Sequence, residues 1–213
     1  MRGLKTTSRG APKPARPKPA PRIAKSKVPP AQPPLPEAGA MWFESVYKGK
    51  MSEAYRCYMR DEWGWEKRGD APLFEKLCLE GAQAGLSWAT ILHKRAAYRI
   101  AFHGFDIRRC AEMSDGELQF LVDDRTLAGP DAIVRHRGKI ESVRHNARLT
   151  LELIAEAAES PRDSPHGAFD GFLWSFVGGR PRLNRRERAS DIPAETEVSV
   201  AMSKALKQRG CMM

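Results

Sequence analysis

Paired cysteines are missing from this chain. Four occur in 213 residues, Cys57, Cys78, Cys110 and Cys211, and no two stand at a spacing that suggests a disulfide framework or a zinc knuckle. The spacing reads instead as core thiols in a reducing compartment. Histidine is scarce too: His93, His103, His136, His145 and His166 are scattered singly along the chain, and their spacing predicts no metal site. No apolar run approaches the ~20 residues that span a bilayer, and no secretory core is present, which predicts a soluble, intracellular protein. Runs of alternating β-branched residues are also lacking, and this leaves helical periodicity to organise the fold.

Acids are nearly absent from residues 1–40. That stretch holds ten prolines and nine Lys or Arg against the single acid Glu37, a net charge of +8. Of the +10 carried by the whole chain, only +2 remains for residues 41–213. A segment so poor in large apolar side chains buries too little surface to offset its ordering entropy, so a disordered arm is predicted over 1–40 and a globular domain over 41–213. The arm suits loose, salt-sensitive contact with phosphate backbones, or serves only to keep the chain in solution.

The domain reads as all-α. Residues 51–60 form a short candidate helix, and Pro72 suits the first turn of a stronger one whose buried face is Leu73, Phe74, Leu77 and Cys78. A further helix runs over 89–102, with Ile91, Leu92 and Tyr98 inward. Ser114-x-x-Glu117 reads as a capping box opening a helix that carries Leu118, Leu121 and Val122. A long helix spans about 138–158, with Ile140, Val143, Ala147, Leu151 and Ile154 on one stripe. The aromatic-rich segment 169–177 closes the clear pattern, and its Trp174 reads as core.

One carboxylate, Glu80, sits in the apolar, small-residue helix of the stretch Leu79-Glu80-Gly81-Ala82-Gln83-Ala84-Gly85-Leu86-Ser87-Trp88, with an indole two turns further on and a further helix expected after Gly85. A charge buried among apolar residues costs several kcal/mol unless satisfied, so Glu80 looks placed to meet a positive or donor-rich partner. Tyr58, Trp63 and Trp88 offer flat faces that stack a nucleobase, hold a cation or simply pack in a core. Between the Ser114 helix and the long one, a tight connection ends at Arg135-His136-Arg137-Gly138-Lys139. Its basic side chains, with Arg144 and Arg148, surround a helix N-terminus that suits a DNA phosphate without reading any base, or else makes an ordinary solvated turn.

With these residues in hand a resemblance becomes specific. Tyr58-Met59-Arg60-Asp61-Glu62-Trp63-Gly64, Leu73 through Trp88, Arg135 through Ile140, Trp174-Ser175-Phe176-Val177 and Ser203-Lys204-Ala205-Leu206-Lys207-x-Arg209-Gly210 resemble DNA-3-methyladenine glycosylase I, in the family's order and over roughly residues 45–210. The resemblance implies a helix-hairpin-helix glycosylase domain that hydrolyses the N-glycosidic bond of 3-methyladenine in double-stranded alkylated DNA. It implies a cytoplasmic, bacterial-type monomer held at the nucleoid by its DNA, with no membrane partner. It makes Glu80 the acid that contacts the extruded base, and Tyr58, Trp63 and Trp88 the base pocket. Arg135, Arg137, Gly138 and Lys139 fall on the hairpin that grips backbone phosphate. The family lacks the activating aspartate of its superfamily, and here Glu156, Glu159, Asp163 and Asp170 stand in no recognisable context.

The chain departs from the family pattern in four places. Val46 and Met59 occupy two of the family's four zinc-ligand positions, and the other two would lie beyond Cys211, so no zinc and no other cofactor is expected. The domain reads as shortened by about its last helix, which would leave an apolar groove uncovered. Arg125–Asp131 looks like an insertion before the hairpin. Lys48 stands where the family often has a further pocket tryptophan. The rival expectation is a catalytically weak DNA-binding or damage-sensing protein.

Overall fold

A computed structural model describes residues 52–159, 165–182, 184 and 191–212. The expected arm over 1–40, together with Val46, Lys48 and Asp163, lies outside the described residues. Among those described there is no strand, and the class is all-α as expected. The described residues form eight α-helices in order: α1 Glu53–Asp61, α2 Asp70–Gln83, α3 Trp88–Ala101, α4 Ile107–Glu112, α5 Asp115–Asp123, α6 Arg137–Glu159, α7 Ala168–Ser175 and α8 Glu197–Gln208. Single 3-10 turns lie at His103–Phe105 and Gly129–Asp131. None of these helices is long and apolar enough to cross a membrane.

The helix starts follow side-chain chemistry. Ser52, Ser87 and Asp106 each accept a hydrogen bond from a backbone N–H in the first turn of α1, α3 and α4, offsetting the unpaired donors found at every helix start. Ser114 and Glu117 close the expected capping box on α5. A second box, Thr196 with Ser199, opens α8, a helix that the sequence pattern passes over because Ser at the third position is a weaker signal than Glu or Gln.

Helix α6 is the axle. It packs against α2, α4, α5 and α7, and its Ile140, Val143, Ala147 and Leu153 are buried with Phe74, Ile91, Phe102, Phe105 and Phe169 in one core. The expected stripe drifts at its end, where Leu153 takes the buried place and Leu151 and Ile154 are only partly covered. Among the described residues the buried acid is Asp170. Its carboxylate is sealed from solvent, where it accepts hydrogen bonds from the Gly69 N–H at 2.8 Å and from Arg68 at 3.4 Å. It thereby ties the entry of α2 to α7.

Helices α1, α2 and α3 are locked by a carboxylate–guanidinium frame. Glu75 accepts from Arg95 at 2.7 Å and from Arg99 at 2.9 Å, while Glu62 pairs with Arg95 and with Lys67 at 3.2 Å. Burial pushes both carboxyls up, but the hydrogen bonds from Arg99 and Arg95 on Glu75, and from Arg95 on Glu62, outweigh it. Both pKa values therefore fall below the ordinary 4.5. A carboxylate depressed in the folded state adds stability that is complete above 4.5 and is lost as pH falls through the folded value. The melting temperature should hold from pH 7 to 5 and drop below about 4. Glu75→Gln should cost about 2 kcal/mol at pH 7 and flatten that acid limb, as read by urea melts across pH. An unchanged limb in the variant would remove Glu75 from the frame.

Candidate functional site

Glu80 and Trp88 lie on successive helices, with the break near Gly85 after which a further helix was expected. Helix α2 ends at Gln83, and the chain reverses through Ala84, Gly85 and Leu86 before Ser87 caps α3. Gly85 holds φ +74, a left-handed conformation that side-chain-bearing residues rarely adopt. The turn swings the Trp88 indole back toward the α2 face that carries Glu80. From α1, Tyr58 meets Trp88 with ring centroids 5.4 Å apart and planes tilted by 60°.

The expectation of a buried, ligand-seeking Glu80 needs correction. The side chain is 48% exposed, and its partner is supplied within the chain: Lys76, one turn earlier on α2, places its Nζ 2.7 Å from Glu80 Oε1. A helix of mixed apolar and polar residues leaves one face open, and Glu80 falls on it because Cys78, Leu79 and Ala82 take the inward positions. The same ammonium lies 3.9 Å from the centroid of the Trp88 ring and 5.3 Å from that of Tyr58, and it donates to the Tyr58 hydroxyl at 3.2 Å. Tyr58, Trp88 and Glu80 therefore come together as expected residues, around a cation that sequence reading passed over. The signal was available in the i, i+4 spacing of Lys76 and Glu80. The indole Nε1–H of Trp88 is enclosed and has no hydrogen-bond partner among the described residues, a cost of about 1–3 kcal/mol for a buried donor.

Trp63 stands apart in exposure. It sits in the turn after α1, 45% exposed, with its backbone N–H bonded to the Tyr58 carbonyl at 2.8 Å. Trp174, read as core, is partly covered: Arg68 stacks over its ring at 3.8 Å and its Nε1–H donates to the Lys67 carbonyl at 3.1 Å.

The connection between α5 and α6 is longer than the tight turn expected. It spans residues 124–136 and is fastened to α3, where the Lys94 ammonium donates to the carbonyls of Gly129 and Ala132 and the Val134 N–H donates to the Tyr98 hydroxyl. Its basic residues are engaged inside the fold. Arg135 bonds the Leu127 carbonyl, and Arg137 bonds Gln119 and Glu141. Arg144 holds Asp115 at 2.7 Å and the Met113 carbonyl, and Arg148 holds the Ala111 carbonyl. Lys139 donates to the carbonyls of Ala82 at 2.8 Å and Ala84 at 2.6 Å, at the end of α2. A cation there meets the negative end of the helix dipole and its unpaired carbonyls. Gly138 has space on the protein side: a Cβ would meet only His136 ring atoms, at 3.4 and 3.5 Å. Nothing within the fold demands a glycine at that position.

Among the described residues, no three His, Cys, Asp or Glu side chains come together as a metal would need. Met59, at the position the resemblance gives to a zinc histidine, is 3% exposed in the core. A methionine in that position supplies no zinc ligand of the family's kind. Two clefts among the described residues are not lined by Glu80. One of about 650 Å3 is lined by Leu73, Leu173, Trp174 and Met202, and another of about 470 Å3 by Ile100, Phe120 and Leu127. Charge and ring geometry, and not cavity size, mark the Tyr58–Trp88–Glu80 cluster.

A family model described as methyladenine glycosylase matches residues 48–213. The protein named DNA-3-methyladenine glycosylase 1 from Escherichia coli (strain K12) is 44% identical over 156 residues, which cover 73% of this chain and 75% of that one. DNA-3-methyladenine glycosylase from Haemophilus influenzae is 40% identical over 156 residues, 73% of this chain and 76% of that one. Among solved structures, 3-methyladenine DNA glycosylase I from Staphylococcus aureus, described for its recognition of 3-methyladenine, superimposes with a TM-score of 0.67 at 32% identity, covering 79% of this chain and 81% of that one.

The Lys139 bonds tie the hairpin to the helix that carries Glu80. Lys139→Met keeps the stem and removes both donors, and should lower stability in urea by about 2 kcal/mol, the scale of hydrogen bonds made by a charged group. A variant as stable as the parent would mean that Lys139 is not held by the α2 end.

Proposed function

This chain belongs to the methyladenine glycosylase family, and on that premise we propose that it excises 3-methyladenine from alkylated double-stranded DNA as a monofunctional N-glycosyl hydrolase of base excision repair. The single observation that carries the reading is the joining of Tyr58, Trp88 and Glu80 around a cation, because a purine alkylated at N3 within DNA is itself a flat cation. An aromatic face and a carboxylate are the two groups that attract such a ring. The base must leave the stack to reach them.

The chemistry asks little of the protein beyond recognition. The C1′–N9 bond of the cationic nucleotide is already weak. As it breaks, its electron pair passes to the purine and cancels the positive charge. Water adds to C1′ and releases a proton. Glu80 is the proposed catalytic residue: its carboxylate accepts hydrogen bonds from the base edge and, as the base excludes water, favours the charged form. Trp88 and Tyr58 stack the ring, and Trp63, exposed beside Tyr58, borders the pocket. No step runs through a metal, and no zinc or other cofactor is proposed; the buried Met59 supports that.

The DNA backbone is proposed to lie against the N-terminus of α6, where the N–H of Gly138 meets a phosphate and Arg135 and Arg137 add positive charge beside it, while Lys139 holds that end of α6 to α2. The space at Gly138 supports a close approach from outside the fold. The arm over 1–40 is proposed to add salt-dependent, sequence-independent contact. The protein is read as acting as a monomer, in the cytoplasm and at the nucleoid through its DNA.

Two measurements test this. Purified protein incubated with methylated duplex should release free 3-methyladenine, and Glu80→Gln should bind the duplex while excising on the order of 100-fold more slowly, as when one charge-stabilising group is lost. Binding without release by the parent protein would make it a damage sensor. Full activity in the variant would contradict the role of Glu80. Gly138→Ala should leave stability unchanged or raise it by about 0.5 kcal/mol. It should weaken duplex binding about tenfold, the worth of one charge-assisted hydrogen bond of about 1.5 kcal/mol. Unchanged affinity would place the backbone elsewhere.

A further inference from the structure

We propose that Lys76 is a resident cation of the base pocket: it yields its place to the charged base and returns when bond cleavage leaves the base neutral, so that it speeds product release. The inference rests on reading Tyr58, Glu80 and Trp88 as the base site. One ammonium touches all three of these groups. Its Nζ is 2.7 Å from Glu80 Oε1, 3.9 Å from the Trp88 ring centroid and 3.2 Å from the Tyr58 hydroxyl. A flat ring that stacks on the Trp88 face fronting Glu80 takes the volume that Nζ fills. The two cannot share it, both because they overlap and because two positive charges would stand within contact distance.

The ion pair is built to be exchanged. Lys76 precedes Glu80 by four residues, the less favourable order for a helical pair. Their side chains are 33% and 48% exposed, so water screens the attraction and the flexible lysine stem has room to swing out. The charge ledger of the reaction then decides which cation the pocket holds. Before cleavage the alkylated base carries +1 and replaces the ammonium, charge for charge. After cleavage the electron pair of the C1′–N9 bond has made the base neutral, and the proton from the attacking water goes to solvent. Glu80 and the indole face are left without a cation, and Lys76 competes for them against a ligand that now offers only stacking and hydrogen bonds. Lys76 therefore lowers the affinity of the pocket for its own neutral product. An uncharged normal base faces the same competitor with nothing to offset it.

The probe is free 3-methyladenine at pH 8, titrated into the full chain and read by tryptophan fluorescence or calorimetry. Lys76→Met and Lys76→Gln should each bind it about tenfold more tightly than the parent, the scale of one lost cation–π contact together with one exposed ion pair. Both should be inhibited by added product at correspondingly lower concentration. Lys76→Arg should restore the parent affinity. A damaged or misfolded pocket loses affinity, so tightening separates exchange from a structural role. Equal or weaker binding by both uncharged variants overturns the proposal and makes Lys76 a ligand contact or a structural tie. Release of 3-methyladenine from methylated duplex by the parent is measured alongside. Tighter binding by the variants without any release by the parent would sink the glycosylase reading and leave the cation exchange standing. Neither release nor binding by any form would sink both.

Discussion

The carbonyls that end α2 have no partner within their own helix, and the ammonium of Lys139 supplies one from the first turn of α6. That pairing joins the long central helix to the turn at Gly85, and the turn in turn decides how Trp88 lies against Glu80. One end of α6 thus serves two purposes. It faces outward with the backbone groups proposed to meet DNA, and inward it anchors the helix that carries the site's carboxylate. The frame of Glu62, Glu75, Arg95 and Arg99 does the same from the other side, holding α1, and with it Tyr58, against α2 and α3.

Two acids show how burial separates support from chemistry. Asp170 is fully enclosed and spends its charge on Gly69 and Arg68, so it links elements and has no open side for a ligand. Glu80 is half exposed, on a helix face that keeps water until something displaces it. A pocket that must take in a charged base and let a neutral one go is better served by the second arrangement. A deeply desolvated carboxylate would have to be held by fixed donors, and those donors would compete with the base at all times.

Much of this was legible from residue order. The capping box at Ser114 and Glu117, the inward face of Phe74 and Cys78, and the span of α6 all follow from local rules that need no tertiary knowledge. The motifs around Tyr58, Glu80 and Trp88 carried the family. What failed to show was what depends on the third dimension. A new helix after Gly85 was legible, but not that the positive φ there swings Trp88 back toward Glu80. Glu80 looked buried because its neighbours are apolar, yet the helix turns those neighbours inward and Glu80 outward. Arg135, Arg137, Arg144 and Arg148 looked free for phosphate, whereas each is spent at least in part on a carbonyl, amide or carboxylate of the fold. Asp170 gave no sign of burial, since its partners lie about a hundred residues away.

At the centre stands the claim that Tyr58, Trp88 and Glu80 form the base site and that Lys76 holds it when empty. A crystal structure of the protein with 3-methyladenine tests this most directly. The account predicts the purine stacked on the Trp88 ring, its edge bonded to the Glu80 carboxylate, and Lys76 swung away from both. A base bound elsewhere, or stacked on Trp88 with the Lys76–Glu80 pair still closed at its present distance, would contradict it.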